Sequence, residues 1–268
     1  MTNPLDAVRD FWNAASCGEA LYLSAPDRAG YEAEARERYR LEPEIAGFAD
    51  FASASGKRVL EIGVGLGADH QRFAESGADL CGIDLTERAV EHTARRFAVY
   101  GLESQLSVGN AERLGFPSES FDLVYSWGVL HHTPDTQRAI NDVQRVLRPG
   151  GVARIMMYHK WSLVGFMLWT RYALLRLRPW LSLDAIYSQY LESPGTKAYS
   201  VTQARHLFRD WRNTSIRTVL THTDLLESLS GQRHGGMALT LARRLWPRAT
   251  LKRLAPRFGL YLLIEAHK

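Results

Sequence analysis

The chain has 268 residues, 46% of them hydrophobic, and a formal net charge of +4. Such a chain can build one large domain with a substantial core, which excludes a disordered protein, and the absence of any repeat excludes a solenoid. The charge is unevenly distributed: residues 1–150 hold 15 Lys and Arg against 23 Asp and Glu, whereas residues 151–268 hold 18 against 6. The small total therefore hides an acidic half and a basic half.

Residues 1–54 are predicted to form a helical cap, because helix formers dominate and opposite charges stand three and four residues apart. From residue 57 onward, short β-type runs alternate with helical stretches. The predicted strands cover 57–62, 78–83, 106–108, 121–125 and 152–157, and a helix over 136–147 ends before Pro149-Gly150-Gly151. Thr86 is placed to cap the helix after the second strand. This alternation predicts a parallel sheet with helices on both faces.

The alternation stops after the fifth strand. Residues 160–200 are apolar and basic, a helix is predicted over 201–210 with Thr202 as a cap, and two final strands are predicted over 215–220 and 259–264. The predicted organisation is a cap over 1–54, a core over 55–159, insertions over 160–200 and 222–257, and the rest of the sheet over 201–221 and 258–268. Because ligands bind beyond the carboxyl edge of such a sheet, both basic insertions are expected to form a lid over one site.

Two cysteines, Cys17 and Cys81, are too few for a disulfide framework, which favours a reducing compartment. The first residues lack the pattern of a signal peptide, and the most apolar stretch, residues 161–169, is too short to cross a bilayer. We expect a cytoplasmic protein, and peripheral contact with the inner membrane surface stays open.

A glycine-rich turn carries the strongest functional signal. The run from Glu61 through Gly63 and Gly65 to Gly67 joins a strand to a helix, where glycines allow close backbone approach and the helix offers free N–H groups. Asp84 ends the second strand, where its carboxylate can accept hydrogen bonds from a ribose diol. The spacing also fits a dinucleotide fingerprint. The sequence therefore predicts a nucleoside-bearing ligand.

Five ordered blocks between residues 57 and 158 specify the nucleoside. They are Val59-Leu-Glu-Ile-Gly-x-Gly-x-Gly67, Gly82-Ile-Asp-Leu85, Gly109-Asn-Ala-Glu-x-Leu-x-Phe-Pro117, Phe121-Asp-Leu-Val124 and Arg145-Val-Leu-Arg-Pro-Gly-Gly151. This pattern resembles class I S-adenosylmethionine-dependent methyltransferases, particularly the small-molecule enzymes of quinone biosynthesis. The resemblance implies a Rossmann-like, seven-stranded, mostly parallel sheet. It implies S-adenosylmethionine as cofactor and S-adenosylhomocysteine as product, and it is silent about the substrate.

The family pattern also implies roles for individual residues. Glu61 would orient the methionine ammonium, Gly63, Gly65 and Gly67 would leave room for the amino-acid moiety, and Asp84 would bind the ribose hydroxyls.

At the adenine, Leu85 would pack on the base, while Asn110 and Ala111 would read its edge. Asn110 departs from the Asp that the family commonly carries, although its amide oxygen can still accept a hydrogen bond from the adenine amine. The backbone at Trp127 would border the methionine end. Plain packing is an alternative role for Leu85, Ala111 and Trp127.

Methyl transfer from a sulfonium is an in-line displacement, so the protein must chiefly position the reactants and exclude water. A base is needed only when the nucleophile begins protonated. The candidates are His131 and His132 after the fourth strand and Tyr158 and His159 after the fifth. A structural role for the histidines and a pocket-wall role for Tyr158 stay open. No metal is expected, because adjacent histidines seldom face one ion.

The basic half allows several partners. Between Gly231 and Ile264 there is no acidic side chain, and Arg and Lys interleave with Leu and Trp. Such a segment suits an anionic membrane interface, a lid over an amphipathic or anionic substrate, or a solvated face against the acidic half.

The leading hypothesis is methyl transfer to an O, N, S or C nucleophile of a small-molecule or lipid-like substrate. An RNA methyltransferase is disfavoured, because Ser126-Trp-Gly-Val stands where base-methylating families carry Asn/Asp-Pro-Pro-aromatic. A non-catalytic cofactor-binding subunit is the third hypothesis.

Overall fold

The computed structural model describes residues 3–227, 244 and 246–268. Four helices open the chain: α1 Pro4–Ala14, α2 Glu19–Tyr22, α3 Arg28–Leu41 and α4 Glu44–Ala49, followed by a 3-10 turn at Phe51–Ala54. Side chains cap two of them, since Asn3 accepts a hydrogen bond from the Leu5 N–H and Asp27 accepts one from the Gly30 N–H. The first fifty residues are thus largely helical, as their sequence predicts.

A seven-stranded sheet forms the centre of the molecule. Its strands are β1 Arg58–Ile62, β2 Asp79–Asp84, β3 Gln105–Val108, β4 Phe121–Trp127, β5 Leu147–Tyr158, β6 Asn213–Val219 and β7 Tyr261–His267. The strand order is β3-β2-β1-β4-β5-β7-β6. Strands β1 to β5 pair in parallel, whereas β7 is antiparallel to both β5 and β6. The predicted mostly parallel, Rossmann-like sheet is confirmed.

Seven further helices are described: α5 Ala68–Glu75, α6 Glu87–Tyr100, α7 Thr136–Val146, α8 Leu163–Tyr172, α9 Leu183–Tyr190, α10 Val201–Leu207 and α11 Arg248–Leu254. The Thr86 hydroxyl accepts a hydrogen bond from the Ala89 N–H, so the predicted cap of α6 is confirmed. Among the described helices, none is long and apolar enough to cross a membrane.

Both faces of the sheet are buried, because side chains alternate along each strand. Val59 and Leu80 belong to a hydrophobic cluster that includes residues of α4, α8 and α9. Leu60, Cys81 and Val124 point to the opposite cluster, which includes residues of α7 and α10. Two helical layers therefore enclose the sheet, and the loops at its carboxyl edge are left to build a site.

Two local predictions need correction. Strand β5 begins at Leu147, which pairs with Phe121, so the preceding helix ends at Val146 and the Pro-Gly-Gly run lies within an irregular start of the strand. Ser200, not Thr202, caps α10: its hydroxyl accepts from the Gln203 N–H while the Gln203 side chain accepts from the Ser200 N–H. The sequence has a basic run over 231–264, and most of its part that precedes α11 lies outside the described residues.

Candidate active site

A cavity of about 370 Å³ opens beyond the carboxyl ends of the five parallel strands β1 to β5. This volume is typical of a small-molecule site. All nine residues predicted to bind the cofactor line it, namely Glu61, Gly63, Gly65, Gly67, Asp84, Leu85, Asn110, Ala111 and Trp127. The fold thus brings together residues from four separate strand ends.

The backbone conformation of the loop between β1 and α5 explains why the loop is rich in glycine. Gly63 has a φ of +86°, and a Cβ there would lie 2.1 Å from the Val129 Cγ2 atom. Gly65, with a φ of +53°, has open space where a Cβ would stand. Left-handed conformations strongly favour glycine. The loop therefore packs tightly at Gly63 and leaves room beside Gly65, on the cavity wall.

Asp84 is fixed at the end of β2 by three hydrogen bonds. Its Oδ1 atom accepts from the N–H and the hydroxyl of Thr86, at 3.0 and 2.9 Å, and its Oδ2 atom accepts from the Gly65 N–H at 3.3 Å. Burial raises the pKa of this carboxyl group. Because the carboxylate is oriented by neighbouring backbone and still lines the cavity, it can accept further hydrogen bonds from a ligand diol.

Glu61 and His70 share a proton beneath the loop. The Ser104 hydroxyl donates to the Leu80 carbonyl, so it must accept the Nε2–H of His70 at 2.8 Å. The contact of 2.9 Å between His70 Nδ1 and Glu61 Oε2 then requires one further proton. Burial raises the pKa of Glu61 well above its usual range and lowers the pKa of His70 to about 3. A neutral imidazole beside a protonated Glu61 satisfies every atom.

Arg38 on α3 is a site residue that the sequence did not single out. Its guanidinium contacts Asp69 at 2.6 Å and Glu42 at 3.2 Å, and the hydroxyls of Tyr39 and Tyr125 also donate to Asp69. Within the described part of the chain, Arg38 is the only Lys or Arg that lines the cavity, against six Asp and Glu residues. The cavity is therefore acidic, which suits a cationic ligand.

The opposite end of the cavity holds a second polar cluster. The Tyr158 hydroxyl donates to Glu192 Oε2 at 2.8 Å, and His132 Nε2 lies 3.3 Å from the same oxygen. On its other side, His132 Nδ1 lies 2.9 Å from the Ser193 hydroxyl and 3.0 Å from the Thr196 hydroxyl. Glu192, Ser193 and Thr196 follow α9 and were not predicted, because no motif marks them.

Hydrogen-bond roles favour a proton on Nδ1 of His132. The Thr196 hydroxyl donates its proton to the Ser193 carbonyl at 2.7 Å, so it accepts at the Nδ1 atom. Nε2 is then the ring atom that can exchange a proton with a bound molecule, and the Glu192 carboxylate, 3.3 Å away, would stabilise a proton there.

Of the four predicted catalytic residues, the cavity is lined by His132 and Tyr158 and not by His131 or His159. His131 is fully buried, its ring centroid lies 4.0 Å from that of Tyr158 at an interplanar angle of 41°, and burial holds its pKa well below the usual range. His159 directs its Nδ1 atom to the Gly259 carbonyl at 3.0 Å. One ligand atom each of His131, His132 and Glu192 lie within 4.8 Å of one another, so the expected absence of a metal stays a prediction.

The N-terminal region also contributes to the lining, including the apolar side chains of Val8, Phe11 and Trp12. The described parts of the two insertions contribute fewer residues: Val164, Leu168, Leu191, Glu192, His222 and Thr223. None of these six is basic.

Known proteins share this fold and the glycine-loop core. Residues 60–155 match the family described as "Methyltransferase domain". A ubiquinone biosynthesis O-methyltransferase of Coxiella burnetii is 27% identical over 146 residues, which are 54% of this chain and 56% of the relative. A demethylmenaquinone methyltransferase of Tropheryma whipplei is 28% identical over 182 residues, covering 64% and 75%. The chain thus spans little more than half the length of the Coxiella relative.

Among solved structures, a Haemonchus contortus N-methyltransferase in complex with phosphomonomethylethanolamine and S-adenosylhomocysteine superposes with a TM-score of 0.62 at 18% identity, covering 100% of this chain and 60% of that protein. The strand order and the glycine loop, together with these matches, are those of class I S-adenosylmethionine-dependent methyltransferases. Residues 60–155 match the methyltransferase domain of that class.

Proposed function

We propose that the chain transfers the methyl group of S-adenosylmethionine by in-line displacement to an O, N, S or C nucleophile of a small, amphipathic molecule. One observation carries this proposal: a single cavity runs from the glycine loop and Asp84 to His132 and Tyr158. The two relatives are named for ubiquinone biosynthesis and for demethylmenaquinone, which favours a lipid-like acceptor.

The cofactor would occupy the glycine-loop end of the cavity. Asp84 would bind the ribose diol. The Oδ1 atom of Asn110 accepts one hydrogen bond from the Glu112 N–H, and its second lone pair would accept one from the adenine amine. We assign the methionine carboxylate to Arg38, because no other guanidinium or ammonium of the described residues lines the cavity. Glu61, protonated beside His70, would accept a hydrogen bond from the ammonium with its other carboxyl oxygen. The other Asp and Glu side chains that line the cavity would stabilise the sulfonium and the ammonium by their charge.

The acceptor would lie between the methyl group and the His132–Glu192 cluster. When the acceptor begins as a hydroxyl or an ammonium, its proton passes to His132 Nε2 while the new bond to carbon forms. The carbon–sulfur bond breaks at the same time, and sulfur leaves as a neutral thioether. Glu192, 3.3 Å from Nε2, would stabilise the imidazolium that results.

The acceptor end is apolar apart from this cluster. Trp12, Val164 and Leu168 line it, and no cation of either described insertion reaches it. We therefore propose an acceptor with an apolar body and no anionic group. The N-terminal helices and residues 160–200 together would form the lid, with residues 222–227 at its border.

Calorimetric titration with S-adenosylhomocysteine tests the cofactor end. Asp84→Asn should weaken binding about ten- to a hundredfold, the effect of losing hydrogen bonds to a charged acceptor. Asp79→Asn at the exposed start of the same strand is the matched control and should bind normally. Equal affinity of wild type and Asp84→Asn would refute the assignment.

Turnover with the acceptor tests the other end. His132→Asn should lower kcat by about a hundredfold or more while S-adenosylhomocysteine affinity is kept, the usual contribution of a general base. Glu192→Gln should lower kcat less, because it removes the stabilising charge and keeps the base. Activity that is unchanged in His132→Asn would exclude this residue as the base.

A further inference from the structure

The segment from Trp161 through α8 to the start of α9 exposes an unusual amount of apolar surface. Six of the nine large hydrophobic side chains that are exposed in the described residues lie here: Trp161, Phe166, Leu174, Leu175, Leu177 and Trp180. Leu177 is 83% exposed, and Leu175 and Trp180 are each 74% exposed. We call these six the Trp161–Trp180 face. Contiguous apolar exposure of this kind marks an interaction surface.

The face is held in place by its own anchors. The Trp169 indole N–H donates to the Leu181 carbonyl at 2.8 Å, and the rings of Tyr172 and Tyr190 stack at 4.0 Å with an interplanar angle of 4°. Leu177 has a φ of +56°, a left-handed conformation that is strained for a branched side chain. Strain and exposure at one leucine indicate that its place on the surface serves a purpose other than folding.

The charge around the face has one sign. Between Trp161 and Leu183 there are three arginines, Arg171, Arg176 and Arg178, and no Asp or Glu. All three arginines are exposed. Trp and Leu beside Arg, with no carboxylate among them, match the composition of surfaces that insert at the headgroup level of anionic bilayers.

We propose that the Trp161–Trp180 face docks the protein on an anionic lipid bilayer. The arginines would contact phosphate headgroups, and Leu175, Leu177 and Trp180 would enter the acyl boundary. This places membrane contact on the first basic insertion, whereas the sequence suggested the region from Gly231 to Ile264.

Helix α8 connects this face to the cavity. Val164 and Leu168 line the cavity from one side of the helix, while Phe166 is exposed on another. An amphipathic acceptor dissolved in the bilayer could therefore reach the cavity along α8 without crossing water. This consequence for the substrate rests on the proposed function, whereas the docking itself does not.

Flotation of the full chain with vesicles tests the docking. Vesicles of phosphatidylcholine with phosphatidylglycerol should carry the protein at low salt, and vesicles of phosphatidylcholine alone should not. Arg176→Gln with Arg178→Gln should weaken binding about 25-fold, since each arginine near an anionic surface strengthens partition about fivefold. Absence of binding to the anionic vesicles would overturn the proposal.

Leu177→Asn separates docking from folding. Asparagine tolerates the left-handed conformation, so this variant should keep or raise the Tm while vesicle binding falls several-fold. Val108→Asn, 52% exposed on β3 at the far edge of the sheet, is the matched control and should bind normally.

An equal loss of vesicle binding in Val108→Asn would overturn the assignment to this face. A second result would also overturn it: a dimer in sedimentation velocity that Leu177→Asn abolishes, in a protein that does not bind vesicles. The face would then pack against a second copy of the chain. S-adenosylhomocysteine affinity should be normal in every variant, so failure here is distinguishable from failure of the proposed function.

Discussion

Arg96 offers the sharpest test of how the site is held together. Its side chain is 1% exposed and reaches from α6 to α3, to α5 and to the glycine loop. Nη1 donates to Glu34 at 2.7 Å and to the Leu66 carbonyl of the glycine loop at 3.1 Å, while Nη2 donates to the Tyr31 carbonyl at 3.1 Å. Nε donates to the Gln71 side chain at 2.7 Å. One guanidinium thus joins α3, α6 and the loop.

Arg96→Met keeps most of the volume and removes all four donations. It leaves the Glu34 carboxylate, itself 4% exposed, without its countercharge. Breaking a buried pair in this way costs about 3–5 kcal/mol, because an uncompensated charge stays in the interior. Removing both partners in Arg96→Met/Glu34→Leu should recover much of that loss.

Urea unfolding followed by tryptophan fluorescence measures the effect. The adjacent Arg95→Met is the matched control, since the Arg95 side chain is 60% exposed and its pair with Glu91 is 3.7 Å long. The control should change the free energy of unfolding by less than about 0.5 kcal/mol. A loss below about 1 kcal/mol in Arg96→Met would refute the structural role given to this residue.

Two further predictions concern the floor of the cavity. Gly63→Ala should destabilise the protein by about 3 kcal/mol in urea unfolding, combining the left-handed conformation with the clash against Val129. Gly101→Ala, at a φ of +66° with open space around it, should lose only the conformational part, and equal losses would remove the packing argument. The folded Glu61–His70 pair holds one shared proton, while free carboxyl and imidazole groups titrate near 4.5 and 6.5. The contribution of the pair to the free energy of unfolding should be constant between pH 4.5 and 6.5. It should decrease as the pH is lowered below 4.5, because the unfolded chain then binds more protons than the folded pair. Above pH 6.5, where the folded pair keeps its proton and the unfolded chain does not, it should fall by up to about 1.4 kcal/mol per pH unit. Parallel stability profiles of wild type and Glu61→Gln above pH 6.5 would contradict the shared proton, because the variant has no carboxyl group to hold it.

The cofactor end could be predicted because its signals are local. The glycines, Asp84 and Asn110 each follow a strand, and the carboxyl ends of parallel strands meet at one edge. Strand geometry also explains the outcome at the end of β5. Successive side chains point to opposite faces, so Tyr158 lines the cavity while His159 turns to the Gly259 carbonyl.

The acceptor end could not be predicted, because tertiary packing brings distant segments together there. Ser193 lies 61 residues from His132, and neither it nor Glu192 belongs to a motif. Arg38 was hidden among the alternating charges of α3, where nothing in the sequence separates a solvated arginine from one directed to Asp69. Net charge does not point to the acceptor either, since no described Lys or Arg of the insertions lines the cavity.

Transfer of label from S-adenosylmethionine tests the central claim most directly. The purified protein is incubated with the labelled methyl donor and a lipid extract of cells, and the products are separated and identified by mass spectrometry. We expect label in a small amphipathic molecule, and none when His132→Asn replaces the wild type. Tight binding of S-adenosylhomocysteine without label in any extracted molecule would contradict the proposed function.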